Sequence, residues 1–140
     1  MSRATEETNR AMLRARDAMD RDYAKPLDVP ALAKIAFTSP AHFSRTFRAT
    51  FGETPHRYLQ RRRVERAMTL LVQTDLPVTD ICLDVGFNSL GTFSRTFSDI
   101  VGESPSSFRV NHDAKAVPNC FVAQWMRPSS FGEARPKTRA

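Results

Sequence analysis

The sequence predicts an all-α fold in which one small two-helix unit occurs twice. Three observations carry this. The chain repeats itself at an offset of 50 residues: Phe37-Thr-Ser39 reads against Phe87-Asn-Ser89, Phe43-Ser-Arg-Thr-Phe47 recurs unchanged as Phe93-Ser-Arg-Thr-Phe97, and Gly52-Glu-Thr-Pro55 returns as Gly102-Glu-Ser-Pro105. Between Phe37 and Pro55, 10 of 19 positions are identical at that offset, which chance does not produce. Each copy carries apolar residues at helical spacing between helix-start and helix-stop residues. Glycine is scarce, with 5 in 140 residues, which argues against an all-β fold rich in tight turns. Two copies are too few for a solenoid, so one unit used twice is the simpler reading.

The elements follow in chain order. Residues 5–23 place Met12, Ala15, Met19 and Tyr23 on one face, which predicts an amphipathic helix. Asp28 is a helix cap, followed by the apolar set Val29, Leu32, Ile35 and Ala36. Phe37-Thr38 makes the turn. Ser39 caps the next helix, and Pro40 suits its first position, where no intrahelical N–H is needed. Phe43, Phe47 and Phe51 form a buried stripe four residues apart, and Gly52 supplies the left-handed stop. Thr54 and Pro55 open a long helix to about Gln73, with Tyr58, Leu59, Val64, Ala67, Met68, Leu70 and Leu71 as its apolar positions. At 1.5 Å per residue it spans roughly 28 Å, and a continuous helix fixes the separation of what it joins. Asp75-Leu-Pro77 ends it. The second copy then runs through a helix over 78–85, a turn at Gly86-Phe87-Asn88, a cap at Ser89, the stripe Phe93, Phe97 and Val101, and the stop Gly102. Ser104-Pro105-Ser-Ser-Phe108 predicts a short last helix.

Two short helices joined by a tight turn are a helix-turn-helix, although an αα-hairpin that only packs has the same pattern. The charge balance is the second guide. The chain has 21 Lys/Arg against 15 Asp/Glu, a net +6. That excess points to a polyanion, either nucleic acid or an anionic membrane. No apolar run is long enough to span a bilayer, and residues 1–16 are polar and charged with no signal-peptide core, so a cytoplasmic protein with no membrane partner is expected. Cys82 and Cys120 are too few for a disulfide framework and are expected as free thiols; a redox pair between them is the weaker alternative.

Ile81-Cys-Leu-Asp-Val-Gly-Phe-Asn-Ser-Leu-Gly-Thr-Phe-Ser-Arg-Thr-Phe97, followed by Gly102-Glu-Ser-Pro-Ser-Ser-Phe-Arg109, resembles the C-terminal signature of the AraC/XylS family of bacterial transcription regulators. Tyr58-Leu59, Arg63-Val-Glu-Arg-Ala67 and Leu70-Leu71 are similar to that family's linker-helix pattern. The resemblance covers roughly residues 5–110. It implies two homeodomain-like helix-turn-helix subdomains joined by a long linker helix. The second helix of each would enter the major groove, in adjacent turns on one face of the duplex about 34–36 Å apart. It further implies double-stranded DNA and RNA polymerase as partners, most often in activation. Few residues precede the first unit, so the chain resembles the family's stand-alone members, which lack a sensor domain. A monomer would suffice, since one chain already carries two reading units. The DNA-binding domain is expected over residues 5–113.

The face of the first recognition helix opposite its phenylalanines presents Ala41, Ser44, Arg45 and Arg48. Arg45 suits bidentate bonding to guanine O6 and N7, Ser44 a base or phosphate, and Ala41 a thymine methyl. The resemblance likewise places the positions of Ala41, Ser44 and Arg45 in the groove; bracing of the fold is the alternative for Arg45. His42 suits either a phosphate or packing. The second recognition helix presents Leu90, Gly91, Thr92, Ser94, Arg95 and Ser98, and is poorer in charge. Residues 26–66 carry 8 Lys/Arg and 3 Asp/Glu, whereas residues 67–113 carry 2 and 6. The first unit is therefore expected to supply most of the phosphate attraction. Arg61 and Arg62 are candidates for phosphate contact, against the alternative of a solvated charged face. Arg63 matches the family's usual arginine, which supports the fold.

An enzyme is the rival from another class. There is no Gly-rich phosphate loop, nucleophile elbow or HExxH pattern, and Cys82, Cys120, His42, His56 and His112 lack metal-ligand spacing. No catalytic residue, metal or cofactor is expected. A third reading, an interaction module acting on RNA polymerase with weak DNA binding, is favoured only by the acidic second half. Residues 114–140 lie outside the resemblance. Within them Phe121, Val122 and Trp125 are expected to cover the second unit, with a ligand site or dimer contact as the alternative. Residues 128–140 are expected to be disordered.

Overall fold

A computed structural model describes residues 2–112; the expectations for Cys120 and the tail lie outside them. Seven helices follow one another: α1 (Arg3–Arg21), α2 (Val29–Ile35), α3 (Pro40–Phe51), α4 (Pro55–Gln73), α5 (Val78–Asp84), α6 (Leu90–Val101) and α7 (Pro105–Asn111). The described residues contain no strand.

The helix ends have chemical causes. The side chains of Ser2, Asp28, Ser39, Thr54, Ser89 and Ser104 each accept a hydrogen bond from a backbone N–H three residues on. Each satisfies one of the four donors that a helix start leaves over. Ser2 starts α1 two residues before the position expected from the apolar pattern, because a cap needs only a hydroxyl and no apolar neighbour. Gly52 and Gly102 close α3 and α6 in left-handed conformation, at φ 82° and 97°.

Two cores form. Met12, Ala15 and Met19 of α1, Leu32 and Ala33 of α2, Phe43, Phe47 and Phe51 of α3, and Tyr58 and Leu59 of α4 make the first. Val64, Ala67, Met68 and Leu71 of α4, Ile81 and Cys82 of α5, Phe93, Phe97 and Val101 of α6, and Phe108 of α7 make the second. In the first core Phe47 meets Tyr58 edge-on at 5.8 Å; in the second Phe97 meets Phe108 at 5.7 Å. The opening turns of α4 therefore do for the first unit what α7 does for the second. The later turns of α4 stand against α5 and α6 as α1 stands against α2 and α3. Arg109 on α7 reaches back to the end of α4, donating from Nε to the Leu71 carbonyl (3.0 Å) and from Nη2 to that of Thr74 (3.1 Å). Cys82, deep in the second core, is a buried free thiol that burial pushes up in pKa.

The repeat is not in uniform register. At an offset of 50, Phe37 reads against Phe87. In the structure Phe37 corresponds to Gly86. The N–H of Phe37 bonds the Lys34 carbonyl and that of Thr38 the Ala33 carbonyl, while Gly86 bonds Leu83 and Phe87 bonds Cys82 in the same 5→2 and 6→1 pattern. The second turn is one residue longer before its serine cap. Phe87 is consequently buried in its core, whereas Phe37 is 83% exposed with a left-handed φ of 58°. Glycine adopts that conformation freely; phenylalanine does so at a cost of roughly 1–2 kcal/mol. The Phe37 ring lies under the Arg14 guanidinium at 5.2 Å, a contact worth about 0.5–1 kcal/mol at an exposed site. The backbone strain outweighs that contact, so Phe37→Gly is expected to raise stability by about 0.5–1 kcal/mol in denaturant titration. A fall in stability would show that the Arg14 contact outweighs the strain.

Candidate nucleic-acid interface

The phenylalanine stripes of α3 and α6 fix which side of each helix faces out. With Phe43 and Phe47 buried on α3, Ala41, His42, Arg45 and Arg48 are exposed and Ser44 is half-buried. With Phe93 and Phe97 buried on α6, Gly91, Thr92 and Arg95 are exposed, and Ser94 and Ser98 are half-buried. Leu90 at the start of α6 is 45% exposed. Arg45 and Arg95 stand at the same place in the two repeats, and neither pairs with a carboxylate among the described residues. The His42 ring Nε2 lies 3.4 Å from the Thr46 hydroxyl one turn on.

Beyond those residues the two helices differ. α6 carries the exposed Asp99 where α3 carries Ala49, and α5 adds the exposed Asp80 and Asp84. The first unit and its neighbourhood expose Lys34, Arg45, Arg48, Arg57 and Arg66.

Arg61 and Arg62 depart from the phosphate-contacting role open to them on sequence. Both guanidinium groups turn inward onto the buried carboxylate of Glu65. Arg61 Nη1 donates to Glu65 Oε2 at 2.5 Å and Arg62 Nη1 to Oε1 at 2.6 Å. Arg61 Nη2 also donates to Glu53 at 2.9 Å, and Arg62 Nε pairs with Asp20 at 3.0 Å. Tyr58 Oη donates to the same Asp20 oxygen at 2.7 Å, and burial with the Asp20 charge holds the phenol above its ordinary range. Burial opposes the charge on both arginines, but the facing carboxylates outweigh it and raise both pKa values. Burial pushes the Glu65 carboxyl up while Arg61 and Arg62 pull it back. The cause is helical spacing: residues three and four before Glu65 share its face of α4. The acidic partner that makes Arg61-Arg62 internal is in the sequence, four residues on, but Glu53 and Asp20 come from other elements.

Arg63 points to another side of α4. Its Nε donates to the Tyr23 carbonyl at 2.6 Å and its Nη2 to the Lys25 carbonyl at 2.8 Å. Its guanidinium carbon lies 5.9 Å from the centre of the Phe87 ring. Burial lowers its pKa. Beside it, a cleft of about 210 Å³ separates the units, lined by His56, Gln60, Gly86, Asn88, Ser89 and Thr92 among others. His56, Gln60 and Asn88 were not among the sequence candidates; they lie off both recognition helices, and only the packing of α4 against the second turn collects them.

Two exposed helices, each the second member of a two-helix unit and both mounted on one shared helix, define a double helix-turn-helix protein. The sequence profile of a family described as a helix-turn-helix domain matches residues 32–111. The chain belongs to the AraC/XylS family and contains an AraC-type DNA-binding domain. Regulatory protein SoxS of Salmonella typhimurium is 33% identical over 91 residues, covering 65% of this chain and 85% of that protein. The bifunctional transcriptional activator/DNA repair enzyme AdaA of Bacillus subtilis is 34% identical over 91 residues, covering 65% of this chain and 43% of its own. The chain spans less than half the length of several curated relatives it matches. Among solved structures, the DNA-binding domain of the global transcriptional factor AdpA, in complex with a target DNA, superposes with a TM-score of 0.69 at 28% identity, covering 75% of this chain and 95% of that one. No helix among the described residues is long and apolar enough to cross a membrane.

Proposed function

We propose that this chain is a sequence-specific transcription regulator that reads two adjacent major-groove segments of double-stranded DNA, one with α3 and one with α6. On this reading it is not an enzyme but an activator, acting through contact with RNA polymerase. A single chain suffices for both half-sites. One observation carries the reading: Arg45 and Arg95 recur at one position of the two repeats, exposed and without a carboxylate partner among the described residues, in a protein that ties its neighbouring arginines Arg61, Arg62 and Arg63 into the fold. An exposed arginine held on a rigid helix with no internal partner is the group that suits bidentate guanine recognition. The interface comprises Ala41, His42, Ser44, Arg45 and Arg48 from α3, and Gly91, Thr92, Ser94, Arg95 and Ser98 from α6. The AdpA complex supports the use of this fold on DNA.

The exposed Asp80, Asp84 and Asp99, with Leu83 60% exposed on α5, favour a second reading in which the second unit faces a protein. Selection of bound fragments from genomic DNA by the purified chain separates the two, with affinities taken at two salt concentrations. A bipartite motif with half-sites about 10–10.5 base pairs apart is the expected result. Salt-sensitive binding with no enriched sequence, or a single half-site, would replace it with the protein-directed role.

A further inference from the structure

The two cores share no buried residue. Between Leu59, the last α4 residue in the first core, and Val64, the first in the second, lies only about one helical turn. α4 sets how far apart the units stand. Twist of one against the other is opposed by the stiffness of that one turn of helix and by whatever else joins them.

A second joint exists. Tyr23, just after α1, packs partly buried against both cores. The next residue, Ala24, lies against the turn of the second unit: a Cβ placed on Gly86 would come within 3.0 Å of the Ala24 Cα, 3.1 Å of its carbonyl oxygen and 2.9 Å of Arg63 Nε. Arg63 lies between these elements. It grips the carbonyls on either side of Ala24, at 2.6 and 2.8 Å, and its guanidinium carbon lies over the Phe87 ring at 5.9 Å. No carboxylate among the described residues pairs with it. Two of its donors hold the backbone of the first unit while its charge lies over an aromatic ring of the second. A planar fork suits such a joint, since it holds two acceptors in fixed geometry, which an ammonium does not.

We propose that Arg63 is a positioning residue for DNA recognition. By clamping the 23–25 segment of the first unit to the Gly86–Phe87 turn of the second, it sets the relative orientation of α3 and α6, and so the half-site spacing the protein accepts. This rests on the two-helix reading of DNA proposed above. One added base pair displaces a half-site by about 3.4 Å and turns it by roughly 35°. A pair held at two joints does not follow that change, while a pair held by α4 alone follows more of it.

The test has two readouts. Spin labels at Ala49→Cys and Asp99→Cys, exposed positions on the two recognition helices, report the distance between them in the free protein. The background carries Cys82→Ala and Cys120→Ser. The full chain is expected to give one narrow distance distribution, and Arg63→Met one at least roughly twofold broader or shifted. Arg63→Lys, which keeps the stem and charge but not the fork, serves if Arg63→Met fails to fold, and is expected to broaden it as well. Unchanged distributions in a folded variant would overturn the proposal and leave α4 alone as the ruler. The second readout uses synthetic duplexes carrying the selected motif with the native spacer and with one base pair added. The unaltered protein is expected to lose at least about tenfold in affinity on the insertion, and the Arg63 variant less than about threefold. If no bipartite motif is ever selected, the DNA reading fails, and the distance measurement still decides whether Arg63 holds the units in register. Equal insertion penalties in both proteins would overturn the spacing role.

Discussion

Arg45→Ala is expected to lower affinity for the selected site by roughly 5- to 150-fold, the worth of about 1–3 kcal/mol in a bidentate arginine–guanine pair. Discrimination at one base pair should relax with it. Arg45→Lys is expected to recover the nonspecific part of the affinity and little of the discrimination, because an ammonium cannot bond both guanine acceptors in one plane. Arg95→Ala is expected to cost less. Arg45 has the exposed Arg48 beside it on α3, whereas α6 offers the half-buried Ser98 at that place and the exposed Asp99 next to it. Phosphate attraction thus seats α3 firmly and α6 loosely, and a loosely seated helix loses less when one contact is removed. Anisotropy titrations at one fixed salt concentration give the ranking; a larger loss for Arg95→Ala would reverse it.

The second large effect is on stability. Glu65→Ala is expected to destabilise the chain by about 3 kcal/mol, toward the lower end of what breaking a buried ion pair costs. The carboxylate is 1% exposed and accepts from both Arg61 and Arg62, so its removal strands two guanidinium groups in a partly desolvated place. The lower end applies because Arg61 keeps Glu53 and Arg62 keeps Asp20. Chemical denaturation reads this directly, and a loss under about 1 kcal/mol would mean water already reaches the site. A corollary separates this network from the interface. Arg61→Ala is expected to lower stability while leaving the salt dependence of DNA binding unchanged; a slope reduced by about one would mean that the guanidinium leaves Glu65 for a phosphate.

The fold was legible because its signals are local. Asp28, Ser39, Thr54 and Ser89 each mark a helix start through a hydroxyl or carboxylate three residues from the amide it serves, and the Phe43, Phe47 and Phe93, Phe97 stripes declare the buried face. Identity at an offset of 50 hid the one-residue slip in the turns. Phe37 and Phe87 are the same residue in different backbone states, and only the hydrogen bonds closing α2 and α5 tell them apart. The exposure of Arg45, Arg48 and Arg95 followed from helix periodicity. The placement of Arg61, Arg62 and Arg63 did not. Of three consecutive arginines two turn onto Glu65 and the third to another side of the helix, and what holds them there includes Asp20, Glu53 and the carbonyls of Tyr23 and Lys25, all outside α4.

Because α4 closes one unit and opens the other, the repeat is not divisible. A cut between Arg63 and Val64 would leave each core its own side chains, but it would break the one helix that carries both and sever Arg61 and Arg62 from Glu65. Unfolding of α4 must dissolve both cores together, so the described residues should melt as one cooperative body and not as two beads on a string. Occupancy at one unit then stabilises the other through that common melting equilibrium, even before the second helix touches anything.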